Sequence, residues 1–552
     1  MKKIILFIIA CFALLAAAVW ITAPKAVQQL EAKLQSSLAQ SGAKLTYRSI
    51  KPGFSGGWTA MVQGPEFTFN DSGREVKFVS DSIKISMPVL FFSGGRAVIS
   101  EIAADNPRID LRLYEPGMNP NFNATDSGRV NPENKSAAPL PVRIQKIRIQ
   151  NGEVNCRLKN GRNAVIQQIN AAVTDPLIEK RLSVNGNFKI FGKNPNVSFD
   201  IAVTRSSSGE LMMHHSELKA DLSDMNEASL FSIFTGQTSM PFSELGGELS
   251  WSVKQIPLNP GVWEQADYEA EIKDASVVFK NHPEPVQNAD LTVVQEGRTL
   301  GVKVEHASWA GGTMSLDFRQ TPSGSESSAL KDVKLAFQSD GIRIERVSPP
   351  KGPYTPYVSG LFFAGFQGSG RIRTLEELPY AVVGDGMAAL DQGIIQNLNI
   401  LRTIFDRLAS VPSVGASITS AIPPKYQNTL NRGYTSFARA EFPVHYQAGK
   451  LYLNQVPLIS EGFSASASGY VDIAGNLFFR SYLSLDDELT WNMMQAAPAL
   501  QYIVSESGKL GLGVDIFGSS RGIQLKVDLQ PLLSRAVQQV GSELLSQALK
   551  RF

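Results

Sequence analysis

Cysteine is nearly missing from this chain: of 552 residues, only Cys11 and Cys156 carry a thiol. A disulfide framework is thereby excluded, as is any zinc or iron–sulfur centre built on several cysteines. Histidine is scarce as well, at His214, His215, His282, His306 and His445, with no pair spaced four apart around a glutamate as zinc proteases require. Charged residues amount to 19%, below the usual quarter, and 53 Lys+Arg against 51 Asp+Glu leave a formal charge of +2. No basic stripe offsets phosphate charge, so a dedicated nucleic-acid binder is excluded. The 45 glycines and 30 prolines stay below low-complexity levels, and 43% hydrophobic residues suffice for a buried core, so disorder is not the main state.

What is present begins with Ile4 to Ala23, an uncharged run behind Lys2 and Lys3. At about 1.5 Å rise per helical residue it matches a hydrocarbon thickness of roughly 30 Å. The two lysines hold the start in the cytoplasm by the positive-inside rule and send the remaining chain across. A cleaved signal peptide, with Ala16–Ala18 as the small residues, is the competing reading, and Cys11 after Ile8-Ile9-Ala10 is a poorer lipoprotein match. Val27, Leu30, Leu34 and Leu38 then recur at helical spacing between Pro24 and Gln40, ahead of Gly42. This predicts an amphipathic helix that packs over the end of a sheet or lies among headgroups.

From about Lys44 to Gln530 the dominant period is two. Ile109–Leu113, Val333–Phe337 and Ile523–Leu529 each alternate apolar with largely polar residues, as half-solvated antiparallel strands do. Asn151-Gly152, Asn160-Gly161, Asn185-Gly186 and Asp340-Gly341 read as turns, and the register change from Val142 and Ile144 to Ile147 and Ile149 reads as a bulge or sharp bend. Helical patterns are few: 397–409, a second near 488–505, and 531–552, where Leu533, Val537, Val540, Leu544 and Ala548 share a face. The expected organisation is an anchor (1–23), an N-terminal region (24–120), an exposed linker (121–141), a middle β region (142–347), a proline-rich boundary (348–357), a C-terminal β region (358–530) and a terminal amphipathic helix (531–552). That last helix either covers the final open strand or docks on a membrane or partner.

Catalytic motifs are weak. Gly53-Phe54-Ser55-Gly56-Gly57 matches a nucleophile elbow literally, but no parallel βαβ pattern surrounds it, so Ser55 reads as part of a glycine-rich bend. Gly368-Ser369-Gly370 lacks the third glycine of a dinucleotide fingerprint. His214-His215 has no carboxylates at ligand spacing and reads as exposed loop histidines. No catalytic residue, metal ligand or cofactor site is expected, and the chain is not expected to be an enzyme.

Two regions do carry a resemblance. Tyr47-Arg48-Ser49-Ile50, Gly64-Pro65-Glu66-Phe67, Val79-Ser80-Asp81-Ser82-Ile83, Met87-Pro88-Val89-Leu90 and Asn106-Pro107-Arg108-Ile109-Asp110-Leu111 follow the anchor. Far downstream come Asp391-Gln392-Gly393-Ile394, Thr435-Ser436-Phe437, Ala448-Gly449-Lys450-Leu451, Ser466-Ala467-Ser468-Gly469-Tyr470-Val471-Asp472 and Phe517-Gly518. Their order resembles the two ends of the AsmA family of bacterial envelope proteins, a match covering about half the chain and leaving 142–347 unaligned. The resemblance implies a mainly β fold in which an elongated, curled antiparallel sheet forms an open groove, anchored in the inner membrane by one N-terminal helix with its body in the periplasm. It also implies membership of the bridge-like lipid transfer class. Phospholipid acyl chains and the inner membrane are the implied partners, and the terminal helix is a candidate contact for an outer-membrane or envelope protein. The groove candidates are Leu300, Val302, Val304, Val333, Leu335, Phe337, Leu525 and Val527. On patterning alone a closed core packed by the same residues is the favoured reading, and the resemblance is what turns it toward a groove. A different class of function, an envelope scaffold assisting outer-membrane protein assembly, stays open beside lipid transport.

Overall fold

The computed structural model describes residues 43–530, apart from several short segments and the longer stretches 114–141, 227–241, 259–265 and 411–421 (save 418). The expected anchor with Lys2 and Lys3, the helix over 24–40, the linker 121–141 and the terminal helix 531–552 lie outside the described residues. β-strands dominate, and the chain divides into two compact units, Met1–Lys273 with Val294–Gly297, and Asp274–Val293 with Arg298–Phe552.

The first unit is laid down as long strands that kink midway. β1 (Ala43–Thr46) leads into β2 (Ser49–Phe54), β3 (Trp58–Gln63) into β4 (Glu66–Asp71), and β5 (Arg74–Val79) into β6 (Ser82–Met87). After β7 (Phe92–Ser93) and β8 (Arg96–Ile99), β9 (Glu101–Asp105) leads into β10 (Arg108–Leu113). Their pairings, β1 with β4, β4 with β5, β5 with β10, β2 with β3, β3 with β6 and β6 with β9, are all antiparallel. The kinks fall at Gly64-Pro65, Ser80-Asp81 and Asn106-Pro107, where Gly64 and Asn106 take positive φ of 55° and 48°. Apolar clusters sit on either side: Phe67, Phe69 and Val76 on one, Val62, Ile85 and Ile102 on the other.

β11 (Val142–Ile144) pairs parallel with β8, and β12 (Lys146–Arg157) pairs parallel with both β9 and β10. The expectation of a purely antiparallel sheet is therefore corrected: the pairing is mixed, because the chain resumes beside β9 and β10 only after the long stretch 114–141, the kind of connection a parallel pair needs. The register change at Ile144 marks a break between two strands that join different partners. β13 (Asn163–Thr174), β14 (Arg181–Lys189), β15 (Val197–Arg205), β16 (Leu211–Asp221), β17 (Met225–Asn226) and β18 (Phe242–Pro257) follow with antiparallel pairing. β19 (Asp267–Phe279) and β20 (Val286–Glu296) carry the division between the units.

Three of the expected turns lie inside strands. Asn151 (φ 50°) and Gly341 (φ 67°) supply the positive φ of bulges in β12 and β23 (Lys331–Arg343), so their turn chemistry serves a kink. Gly186 lies mid-strand in β14 because a Cβ there would stand 2.2 Å from the Asn170 carbonyl oxygen.

The second unit contains β21 (Thr299–Trp309), β22 (Gly312–Pro322), β23, β24 (Tyr357–Ile372), β25 (Val383–Gln396), β26 (Thr435–Phe437), β27 (Ala440–Gln447), β28 (Lys450–Ser460), β29 (Phe463–Asp472), β30 (Asn476–Leu485), β31 (Gly511–Ser519) and β32 (Gly522–Asp528). β21 to β25 form successive antiparallel pairs; β25 then pairs with β26 and β27, and β27 to β32 continue in order. Among the described residues, helices sit between strands at the two ends of this sheet: α1 (Ile344–Val347), α2 (Leu378–Ala381), α3 (Ile400–Ala409), α4 (Pro424–Asn431) and α5 (Asp487–Ala496), the last continued by a 3-10 turn at Pro498–Ile503.

The main core lies at one end. α3 buries Ile400, Leu401, Ile404, Phe405 and Leu408, a one-sided stripe at helical spacing, against Leu483, Leu485, Leu512, Val514 and Ile523 of the sheet and Leu489 and Met493 of α5. Each such side chain contributes about 1.5–3 kcal/mol on burial. The helix expected over 397–409 begins later, because Asn397 takes φ 58° and Asn399 is the N-cap. α4 was not expected; its buried residues, Tyr426 and Thr429, are too few to register as a period.

Asn399 joins the helices. Its Oδ1 accepts from the Arg402 N–H at 2.8 Å, while its Nδ2 donates to the carbonyls of Thr429 at 2.6 Å and Arg432 at 2.9 Å. Asn399→Ala should cost about 2–4 kcal/mol in chemical denaturation, a lost cap plus orphaned carbonyls. Asn399→Asp, which keeps the cap but aims a carboxylate at those carbonyls, should be no better than alanine; a near-wild-type aspartate variant would show that only capping matters.

Candidate apolar binding face

Residues paired across antiparallel strands point to the same face, so register alone assembles rows of side chains. One row starts at Val304 on β21 and crosses Leu316, Phe337, Phe366 and Gly386 to β25. It continues through Val444, Leu453, Gly469, Phe479 and Ile516 to Leu525 on β32. Every member is apolar or glycine. The adjacent row runs from Val302 through Phe318, Leu335, Gly368, Gly384, Tyr446 and Leu451 to Val471, Leu477, Gly518 and Ile523. Only the Tyr446 hydroxyl interrupts it, and that group donates to the Pro379 carbonyl at 2.6 Å, while burial pushes the phenol pKa up.

The sequence-derived candidates fall on this face. Val304, Phe337 and Leu525 share the first row, Val302 and Leu335 the second, and Leu300 meets Val333 through Gln320. Val527 pairs with Val514 one row further along. Their surroundings differ. Val333, 1% exposed, packs with Phe318, Ile372 and Val382 beneath α2, and Leu525 and Val527 border the main core. At these ends the side chains do fill packed clusters. Between the ends lies Phe442, Val444, Ala388 and Val456 with Phe362, Leu453 and Phe479, a cluster drawn among the described residues from sheet strands alone. Phe442 and Val444 are nonetheless only 5% and 6% exposed. Lys2 and Lys3 lie outside the described residues.

The sheet curls within this unit. The Ile523 N–H on β32 donates to the Pro356 carbonyl at 3.0 Å, so the last strand returns to the segment that opens β24. The curl explains how strand residues bury one another without a second layer. It also places residues that patterning missed, Leu316, Phe366, Val444, Leu453 and Phe479, beside the predicted ones. Each belongs to a short alternating run such as Phe442–Val444–Tyr446, which was the available signal.

The opposite face is more exposed and carries the charged residues, with aromatic rings among them. Its matching row reads Lys303, Asp317, Ala336, Gln367, Asp385 and His445, then Tyr452, Tyr470, Phe478, Phe517 and Gln524. Arg371 pairs with Asp332 at 2.9 Å and Arg480 with Asp515 at 3.4 Å there. The rings of Tyr452, Tyr470 and Phe478 follow one another at 6.1 and 6.4 Å, with the Lys450 ammonium 4.3 Å from the Tyr470 ring.

Other sites offer less. In the first unit a recess of about 640 Å³ is lined by Asp81, Asn106, Arg108, Asn151, Glu153 and Gln168 among others; Arg108 pairs with Glu153, and Asn151 bonds to Asn106, which bonds to Asp81. Ser55 sits at the exposed hairpin tip between β2 and β3. His214 and His215 belong to strand β16, where His215 takes φ 41°, rather than to a loop as expected. Among the described residues no group of three or more metal-ligating side chains occurs, and no helix is long and apolar enough to cross a membrane.

Fold and face together define a mainly β protein whose second unit curls one apolar face inward. Among known proteins, no family model and no curated protein matches the chain.

On the polar face Asp385 meets His445 Nδ1 at 2.8 Å, and this hydrogen bond holds the imidazole pKa above its ordinary 6.5. Stability from a raised histidine pKa is fully present below the unfolded value and fades as pH rises through the folded one. Asp385→Asn should therefore lower the His445 pKa toward 6.5 in an NMR titration, with variant and wild type converging in stability at alkaline pH; an unchanged titration would show that the pair does not form in solution.

Proposed function

We propose that this chain is an inner-membrane-anchored periplasmic protein that shields phospholipid acyl chains along the apolar face of its curled sheet and so supports phospholipid transport and outer-membrane homeostasis, in keeping with its resemblance to the AsmA family. The observation that carries the reading is the unbroken apolar row from Val304 to Leu525, whose middle part is covered by no helix among the described residues. A 16-carbon chain exposed to water costs on the order of 13 kcal/mol at about 0.8 kcal/mol per methylene, so a cargo of this kind needs an escort. The rows repeat an apolar side chain or a glycine at nearly every strand spacing of about 4.8 Å, which favours sliding over capture in one deep well. The lipid headgroup stays wet at the open side of the curl.

The reading is tested by placing a photo-crosslinking residue at Leu316 or Leu453, and separately at the neighbouring Asp317 or Tyr452, in the full chain in cells. Lipid adducts should come from the first pair of positions and fall at least about tenfold at the second. Equal labelling from both faces, or none from either, would sink the groove; adducts to outer-membrane barrel proteins without lipid would favour an assembly scaffold instead.

A further inference from the structure

We propose that the ring-bearing face turned away from the apolar rows is a docking track for an extended, uncharged glycan chain, the sugar backbone of the cell wall. The track does not depend on the acyl-shielding reading; only the source of the glycan rests on the periplasmic placement proposed with it. Register lays the track down. His445, Tyr452, Tyr470, Phe478 and Phe517 are cross-strand partners in succession from β27 to β31, one ring on each strand. The first four centroids follow one another at 6.3, 6.1 and 6.4 Å, with planes tilted by 37°, 57° and 39°. None of the five is buried, and Phe478 and Phe517 are 38% and 36% exposed. Apolar surface that is contiguous and rimmed by polar groups marks a place of interaction, whereas scattered exposed rings do not.

The rim is polar on both sides of the rings. Lys450, Asp472 and Asn476 lie along one side, and Arg480, Asp515 and Lys526 along the other. The cations Lys450, Arg480 and Lys526 are matched by Asp472, Asp515 and, at the head of the row, Asp385, which holds His445 at 2.8 Å. Balanced charge gives no net pull on an anionic membrane surface or a nucleic acid. A peptide strand would add at a sheet edge, but β27 to β31 are each hydrogen-bonded to a strand on both sides. What the track offers is a line of ring faces with hydrogen-bonding groups at their edges. A β-linked pyranose chain has the complementary build, because its apolar C–H faces stack on aromatic rings while its hydroxyl and amide groups project sideways to polar partners. In the wall the carboxyl groups of that backbone are tied up in amide links, so the chain itself is uncharged, and rotation about its glycosidic bonds lets it follow the tilt from ring to ring.

The test uses the detergent-solubilised full chain with two probes, a soluble hexamer of β-linked N-acetylglucosamine and intact cell-wall sacculi. The wild type should bind the hexamer and co-sediment with sacculi, and hexamer binding should be as strong at high salt as at low, since little of the attraction is between charges. Phe478→Leu alone, which keeps apolar area at an exposed position but removes a ring face, should weaken hexamer binding roughly two- to tenfold, and Tyr470→Leu with Phe478→Leu and Phe517→Leu should weaken it by more than about tenfold. Phe478→Trp, which restores a ring, should bind as the wild type does. Leucine variants that bind as tightly as the wild type, hexamer binding abolished by salt, or a hexamer bound without retention on sacculi overturn the proposal. So does capture of anionic vesicles or of a second copy of the chain by the same rings with no glycan bound. The two readings separate cleanly: a wild type that gives lipid adducts at Leu316 but binds no glycan loses the track alone, and one that binds glycan without lipid adducts loses the groove and keeps the track.

Discussion

In a β-strand successive side chains point to opposite faces, so one extra residue in a strand throws every later apolar side chain through the sheet into water. The apolar face of the second unit depends on that rule and on its controlled breach. In β28, Leu451 and Leu453 occupy odd positions and Val456 and Leu458 even ones, yet all four belong to the same cluster. A bulge between Leu453 and Val456, with Gln455 at φ 54°, absorbs the change. β25 does the same between Leu390 and Ile395, where Gln392 takes φ 51°. Bulges bend the strands that carry them and sharpen their twist, so the residues that preserve the face also help to curl it.

Curvature then sets what glycine must do. Phe366 and Tyr446 stand 6.1 Å apart on the apolar face, and the Phe366 ring lies over Gly368 and Gly384. A Cβ at Gly384 would come within 2.5 Å of that ring and 2.3 Å of the Gln367 carbonyl, so the aromatic floor exists only because the strands beneath it are bare. The floor anchors α2 through the Tyr446 hydroxyl, and α2 in turn seals Val333 and Ile372. Helix packing at both ends, with strand side chains alone clustered between them, follows from where the helices interrupt the strands.

Alternation made the strands legible: Val333–Phe337 and Ile523–Leu529 lie in β23 and β32, and the apolar candidates chosen from them share one face. Local chemistry was less decisive. Asp340-Gly341 has turn composition whether it reverses the chain or only kinks it, and the pairing that decides between these lies on the strands to either side. The parallel pairing of β12 with β9 and β10 escaped notice for a related reason, since nothing in Lys146–Arg157 specifies the strands that receive it. α4 was hidden by its mostly polar composition, and the meeting of Ile523 with Pro356 by a separation that no local pattern spans.

The near-neutral composition acquires a physical sense from this arrangement. Charges on the second unit pair with one another on the polar face, as Arg371 does with Asp332, and such exposed pairs add little stability, typically 0–1 kcal/mol. Their contribution is to keep the outer side wetted while no charge enters the two apolar rows. For a cargo held by its tails, any single strong polar contact along the rows would create a well from which the chain must escape before moving on. On the proposed function, a face that repeats valine, leucine, phenylalanine and glycine at one strand spacing presents no such well, so affinity would grow with the length of chain covered while the barrier to movement would not.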